Sequence, residues 1–267
     1  MKRKAFVSKA IVYILNKEFL TAFKVSLYSL YKYNSLKNIK LVIFYYEDCL
    51  LPELSTIFSK LKLSVDFKPI NRGLYNNCIF DGAYRKWQFN PGYRFELFDL
   101  KFDEILYIDC DTLINGDITS FFSQQGNFCA CPLNPRIAIY YARGNGFNAG
   151  IFLVRKKYIS KSFKRKLIKF CEESNNLSGN QVVLNHFFKN KTTFLPQKYN
   201  VTTDVLSSEL LAEGLIFHFV GELKPWNNKL QESYNEYVLS NTGLFLLSKL
   251  FLRYKQLEKE SSLFFNN

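Results

Sequence analysis

Two short stretches of this chain have residue types and spacing suited to chemistry. The first is Asp109-Cys110-Asp111, which closes the apolar run 105–108. Side chains two apart on an extended segment share a face, so both carboxylates can converge on one point. Held together, they repel unless a cation sits between them. Mg²⁺ or Mn²⁺ suits an all-oxygen pair, with phosphate oxygens of a substrate completing its shell. The second stretch places His218 inside the apolar run 215–220, followed by Gly221 and Lys224. A neutral imidazole beside two carboxylates makes a mixed site for Mn²⁺. Gly221 lets backbone approach a phosphate closely, and Lys224 offsets its charge. Each stretch alone has a plain reading, a solvated turn or a satisfied core histidine. Together they favour a cation that holds a diphosphate. The other histidine, His186, lies in the helical pattern 180–188 and reads as structural.

The elements that must carry these groups alternate. Residues 10–15 read as a first core strand, and 17–33 show apolar residues at helical spacing with Asn16 as N-cap. A second strand is expected at 39–46, a helix opened by Pro52 through 61, and a third strand at 63–69. This order is the signature of an α/β fold, a mostly parallel sheet with helices on both faces. Ligands of such sheets bind beyond the carboxyl ends of the strands, where Asn16 and Asp109-Cys110-Asp111 would both lie. An Asn- and Gly-rich loop, 71–82, precedes a helix expected over 83–99, which holds Lys86 and is broken near Pro91-Gly92. Strands are expected at 104–109, 128–131, 150–154 and 215–220, with a loop over 132–147. Residues 155–169 carry eight basic residues and no acidic one. They read as a solvated helix face, with a phosphate- or membrane-facing patch as the alternative. The tail 243–259 is apolar and basic, a helix that either docks on the core or lies on a membrane surface.

Composition narrows the class. At 267 residues, 48% hydrophobic and 17% aromatic, the chain can bury a large core and is neither disordered nor fibrous. A formal charge of +13 points to anionic partners: nucleotide phosphates, nucleic acid or acidic lipid headgroups. The six cysteines show no Cys-x-x-Cys pair and sit mostly in apolar surroundings, so reduced thiols and a cytosolic setting are expected. The basic N-terminus is not read as a signal peptide, because lysines interrupt the stretch that follows and no small-residue cleavage site is present. No uncharged run approaches the ~20 residues of a membrane span. A non-enzymatic nucleic-acid binder using 155–169 has no helix-turn-helix or zinc module to support it. A nucleotidyltransferase would need a Gly-rich triphosphate loop near the N-terminus, which is missing.

Four stretches resemble the family 8 glycosyltransferases, the retaining GT-A group that includes glycogenin and bacterial lipopolysaccharide galactosyl- and glucosyltransferases. They are 106–114 (LYIDCDTLI), 147–154 (FNAGIFLV), 180–185 (NQVVLN) and 218–226 (HFVGELKPW), and 195–200 (LPQKYN) has the same look. The resemblance spans about residues 10–230. It implies a GT-A Rossmann-like sheet over a catalytic domain, 1–240, and a C-terminal tail, 241–267. It further implies Mn²⁺, with Mg²⁺ as the substitute, on Asp109, Asp111 and His218, bridging the diphosphate of a UDP-sugar. Lys224 and the Gly221 backbone would hold the phosphates, and Lys86 would reach the donor sugar and diphosphate. Asn16 would line the uracil pocket, and Asn148 would contact donor sugar or acceptor. The expected donor is UDP-galactose or UDP-glucose. The expected acceptor is a glycan of a bacterial surface lipid, reached from the cytoplasmic face of the membrane; a glycogenin-like or protein-glycosylating enzyme is the alternative. One departure stands out, because the family has Asp-Gln where this chain has Asn180-Gln181. Asn is a poor nucleophile, which argues against a double displacement through position 180 and for a front-side attack with Gln181 beside the anomeric carbon.

Overall fold

Strand parity organises the protein. In the computed structural model, which describes residues 7–80, 90–135, 146–174, 177–221, 224–226 and 241–266, β1 (Lys9–Leu15) is buried along almost its whole length. Its odd residues Ile11, Tyr13 and Leu15 face one apolar layer, and its even residues Ala10, Val12 and Ile14 face another. A strand covered on both faces needs an unbroken apolar run, which is what the sequence shows. The Asn16 side chain caps the turn Lys17–Phe19 by accepting from the Phe19 amide at 3.2 Å. The chain then enters α1 (Leu20–Tyr33), β2 (Ile39–Tyr45), α2 (Leu51–Leu61) and β3 (Val65–Pro69). Pro52 sits in the first turn of α2, where its missing N–H costs nothing. Helices α1 and α2 cover the odd face of β1.

After β3 come β4 (Glu104–Ile108), β5 (Thr112–Ile114), β6 (Phe128–Pro132), β7 (Phe147–Arg155), α3 (Lys161–Glu173), α4 (Asn180–Phe188), β8 (Thr193–Phe194), β9 (Val201–Thr202), α5 (Ser208–Glu213), β10 (Ile216–His218) and α6 (Asn241–Asn266). The main sheet has the order β3-β2-β1-β4-β7-β6-β8. Only β7 runs against the other strands, so the sheet is mostly parallel, as expected. A small second sheet, β5-β10-β9, stands beside the carboxyl end of β4.

Some local expectations change. The Lys86 stretch lies outside the described residues, as does most of the loop 132–147. From Pro91 to Asp99 the chain is a 3₁₀ helix, its Asn90 side chain accepting from the Gly92 amide at 2.8 Å. The strand expected over 215–220 is paired only at Ile216–His218. The basic run 155–169 is not one solvated face. Arg155 ends β7 and binds Glu104 at 2.6 Å, and the buried Lys164 binds Glu96 at 2.7 Å. The remaining lysines and Arg165 are exposed. All six cysteines are free thiols, and Cys49 alone among them is exposed.

The tail helix docks. Leu246, Leu247, Leu250, Phe251, Tyr254 and Leu257 of α6 pack with Val25 of α1 and with Leu113, Val201 and Phe217 of the small sheet. Lys32 of α1 pairs with Glu260 at 2.7 Å. The outer face of the same helix leaves Leu252 71% exposed. Replacing the fully buried Leu250 by Ala should therefore destabilise the fold by about 2–5 kcal/mol, while Leu252→Ala should stay within about 0.5 kcal/mol of the parent. Urea titrations of the two variants check this, and equal losses would mean that α6 is not docked in this register.

Candidate metal centre

The parity of β4 decides which helices meet the aspartates. Tyr107 and Ile105 face the layer built from 91–99, α3 and α4, and Asp109 continues on that side. Arg94, from 91–99, therefore donates to Asp109 Oδ1 at 2.6 Å. It also donates to Asn180 Oδ1 at 2.9 Å and to the Ala149 carbonyl at 2.8 Å, with its guanidinium 4.6 Å above the Tyr107 ring. The Tyr107 hydroxyl donates to the same Asp109 oxygen at 2.5 Å.

Strand β4 ends at Ile108, so Asp109-Cys110-Asp111 is a bend rather than the extended segment expected. The carboxylates still converge, because the bend is closed by Thr112 Oγ1 donating to the Asp109 carbonyl at 2.9 Å. Cys110 turns into the core, its thiol donating to the Ile14 carbonyl at 3.2 Å. Burial, reinforced by the two flanking carboxylates, pushes that thiol well above its ordinary pKa, so it is no nucleophile.

Beyond the bend, β5 pairs antiparallel with β10, placing Thr112 opposite His218, and the Phe219 amide donates to the Asp111 carbonyl at 2.9 Å. This ladder brings the imidazole to the aspartates. His218 Nε2 lies 3.3 Å from Asp111 Oδ1 and 3.6 Å from Asp109 Oδ2. The three side chains offer ligand atoms within 4.8 Å of one another. The other oxygen of each carboxylate is engaged: Asp109 Oδ1 by Arg94 and Tyr107, Asp111 Oδ2 by Lys224 Nζ at 2.5 Å. Lys224 also donates to the Phe219 carbonyl. With their far oxygens engaged, both carboxylates turn their near oxygens toward His218. Buried His218 Nδ1 has no hydrogen-bond partner among the described residues. Two carboxylate oxygens and one imidazole nitrogen fit Mn²⁺, and Mg²⁺ less well.

Burial alone would raise the pKa of Asp111. Lys224 and His218 outweigh that and hold it well below the usual carboxylate range, so it stays ionised. Gly150 completes the centre from β7. A Cβ at that position would stand 2.1 Å from His218 Cε1 and 2.7 Å from Asp109 Oδ2, closer than real contacts allow.

The other expected residues surround this point. Asn148 Oδ1 accepts from the Gly150 amide at 2.9 Å and from Asn200 Nδ2 at 3.0 Å. Gln181 Oε1 accepts from the Ala149 amide at 3.0 Å. Asn180 has both ends of its amide engaged, since its nitrogen donates to the Pro91 carbonyl at 2.7 Å. Gly221 adopts φ +74°, a conformation that favours glycine. Asn16 lies at the carboxyl end of β1. Sequence reasoning assigned no role to Arg94, Tyr107, Gly150 or Asn200. Parity with Asp109 is the local signal for Tyr107; Arg94 has none, because it meets Asp109 only through packing.

Gly150→Ala should weaken Mn²⁺ binding by at least about tenfold, because the added methyl displaces two ligands, yet leave the far-ultraviolet circular dichroism unchanged. Undiminished Mn²⁺ affinity in calorimetry would show that the ion binds elsewhere.

Comparisons with known proteins bear on the family and the fold. A model of the family described as glycosyl transferase family 8 matches residues 10–229. Glycosyltransferase GlyE of Streptococcus pneumoniae is 30% identical over 165 residues, covering 54% of this chain and 39% of GlyE. Lipopolysaccharide 1,2-glucosyltransferase of Escherichia coli is 26% identical over 160 residues, covering 51% of this chain and 47% of its own length. The matched regions thus span less than half of these relatives. The crystal structure of the galactosyltransferase LgtC with donor and acceptor sugar analogues superposes with a TM-score of 0.69 at 14% identity, covering 94% of this chain and 95% of that one. At that identity the likeness shows the fold, a GT-A fold.

Proposed function

The chain belongs to glycosyl transferase family 8, and on that premise we propose that it is a retaining hexosyltransferase using UDP-galactose or UDP-glucose, with Mn²⁺ or Mg²⁺ held by Asp109, Asp111 and His218. The observation that carries the reading is the convergence of Asp109 Oδ2, Asp111 Oδ1 and His218 Nε2 beside the Lys224 ammonium. A bound divalent cation supplies electrophilic charge to a departing diphosphate. Lys224 adds positive charge on the same side, and the backbone at Gly221, at φ +74°, would hold a phosphate oxygen. In this reading Asn16 would line the uracil pocket, and Lys86, outside the described residues, would serve the donor sugar and diphosphate. Asn148 and Gln181 present amides to that sugar, with Gln181 beside the anomeric carbon.

Asn180 works through Arg94. It holds the guanidinium against Asp109 and is itself tied to the Pro91 carbonyl. A carboxamide so engaged makes no glycosyl intermediate. The acceptor hydroxyl then attacks from the face that UDP leaves, and the anomeric configuration is retained.

The proposed acceptor is a glycan of a bacterial surface lipid, in line with the lipopolysaccharide relative. The outer face of α6 supports work at the inner face of a membrane, because exposed Phe245, Leu252 and Leu263 alternate with exposed Lys249, Lys255 and Lys259. No helix among the described residues is long and apolar enough to cross a membrane.

Hydrolysis of a UDP-sugar panel with and without Mn²⁺ tests the central reading. Asp111→Ala and His218→Ala should each lower Mn²⁺-dependent turnover by about 100-fold or more while remaining folded. Near-normal rates in either variant would place the metal elsewhere. Asn180→Asp should not raise turnover, since an ionised carboxylate cannot donate to the Pro91 carbonyl; a gain would favour a nucleophile at position 180. Added hexose in the intact mass after incubation with UDP-glucose would favour the glycogenin-like alternative. For the membrane, Leu252→Glu combined with Leu263→Glu should reduce co-sedimentation with anionic vesicles, and failure of the parent protein to sediment would remove that part of the reading.

A further inference from the structure

Each aspartate of the metal centre already has a cation. Arg94 lies 2.6 Å from Asp109 Oδ1, and Lys224 lies 2.5 Å from Asp111 Oδ2. The Lys224 pair is screened little by solvent, with the lysine side chain 6% exposed and that of Asp111 12%. Two carboxylates and the two protein cations paired with them sum to zero. A divalent cation entering alone therefore meets a neutral site, not a doubly negative one, and feels two positive charges at close range in a poorly screened pocket.

The two counter-charges differ in their freedom. Arg94 is held by Asn180 Oδ1, the Ala149 carbonyl and the Tyr107 ring in addition to Asp109. Lys224 lies three residues after Gly221, a backbone position at φ +74°, and its ammonium bonds one carbonyl, that of Phe219, besides the carboxylate. The rings of Phe19 and Trp226 flank it at 6.0 and 5.6 Å. An ammonium with three donors can exchange a carboxylate for a phosphate oxygen by rotating its flexible stem.

Resting on the transferase reading above, we propose that Lys224 is a counter-ion that makes divalent-cation binding depend on the diphosphate. Without a diphosphate its ammonium neutralises Asp111 and weakens the cation. When a diphosphate arrives, the ammonium turns to the phosphate oxygens, and the full charge of Asp111 passes to the cation. By linkage, the cation tightens the nucleotide by the same factor. Lys224 thus acts twice, as a phosphate ligand and as the brake on loading an empty site with metal.

Titration of the full chain with Mn²⁺, followed by the electron paramagnetic resonance of free Mn²⁺, tests this with and without UDP. In the parent protein, UDP should tighten Mn²⁺ by at least about tenfold. In Lys224→Met, Mn²⁺ alone should bind about tenfold more tightly than in the parent, and the gain from UDP should shrink. Lys224→Arg should stay as weak as the parent toward Mn²⁺ alone. The sign decides the matter. A lysine that only binds phosphate predicts unchanged affinity for Mn²⁺ alone, and one that only orients Asp111 predicts weaker affinity; either result overturns the proposal. Should the methionine variant fail to fold by circular dichroism, Lys224→Gln gives the same test. Unchanged Mn²⁺ affinity on adding UDP to the parent would overturn the proposal by itself. Failure of the parent to bind UDP with Mn²⁺ at all would sink the transferase reading, whereas tight binding of both with no gain in Lys224→Met would sink only the counter-ion role.

Discussion

Two carboxylates held close together and largely out of water persist only where positive charge meets them, and the centre of this protein is arranged around that need. Asp111 is buried at 9% exposure where Lys224 and His218 reach it, and the half-buried Asp109 is met by Arg94 and Tyr107. These partners come from different parts of the fold. Arg94 belongs to the 3₁₀ helix before β4, Tyr107 to β4 itself, His218 to the end of β10 and Lys224 to the loop after it. Deleting one partner would leave a charge exposed to a low-dielectric interior, a far larger penalty than the loss of a surface ion pair.

The surrounding architecture serves that convergence. The main sheet supplies a rigid floor because its central strands are buried on both faces, and β4 lies near its middle with the aspartates at its carboxyl end. Reversal of β7 brings Ala149 and Gly150 alongside Asp109, where the Gly150 carbonyl accepts from the Asp109 amide at 2.8 Å. The small sheet delivers His218. Helix α6 packs behind that sheet, so residues close to the end of the chain stabilise the strand that presents a metal ligand.

Much of this was legible in one dimension. Apolar runs of strand length separated by helical periodicity gave a parallel α/β sheet, since period and burial are local consequences of side-chain geometry. Asp109, Asp111, His218, Gly221 and Lys224 were singled out by chemical type. Arg94 was not, because nothing local distinguishes an arginine that reaches a carboxylate from one in water. The basic run 155–169 misled in the same way. Lys164 and Arg155 meet Glu96 and Glu104, acids far away in the sequence, and charge patterning cannot see a partner that only packing provides.

By itself, then, the sequence determined the order of elements, the face each strand residue occupies and the inventory of ligand-type side chains, all matters of neighbouring residues. Only the tertiary structure decided which oxygen of each carboxylate is bound to a protein cation and which is turned toward His218. It also decided that Asn180 is tied to Arg94 and Pro91, and that a methyl at Gly150 would strike the centre. Those outcomes depend on tenths of an ångström between segments distant along the chain. Such distances are set when β5 pairs with β10 and the helices close over β4, and no local pattern encodes them.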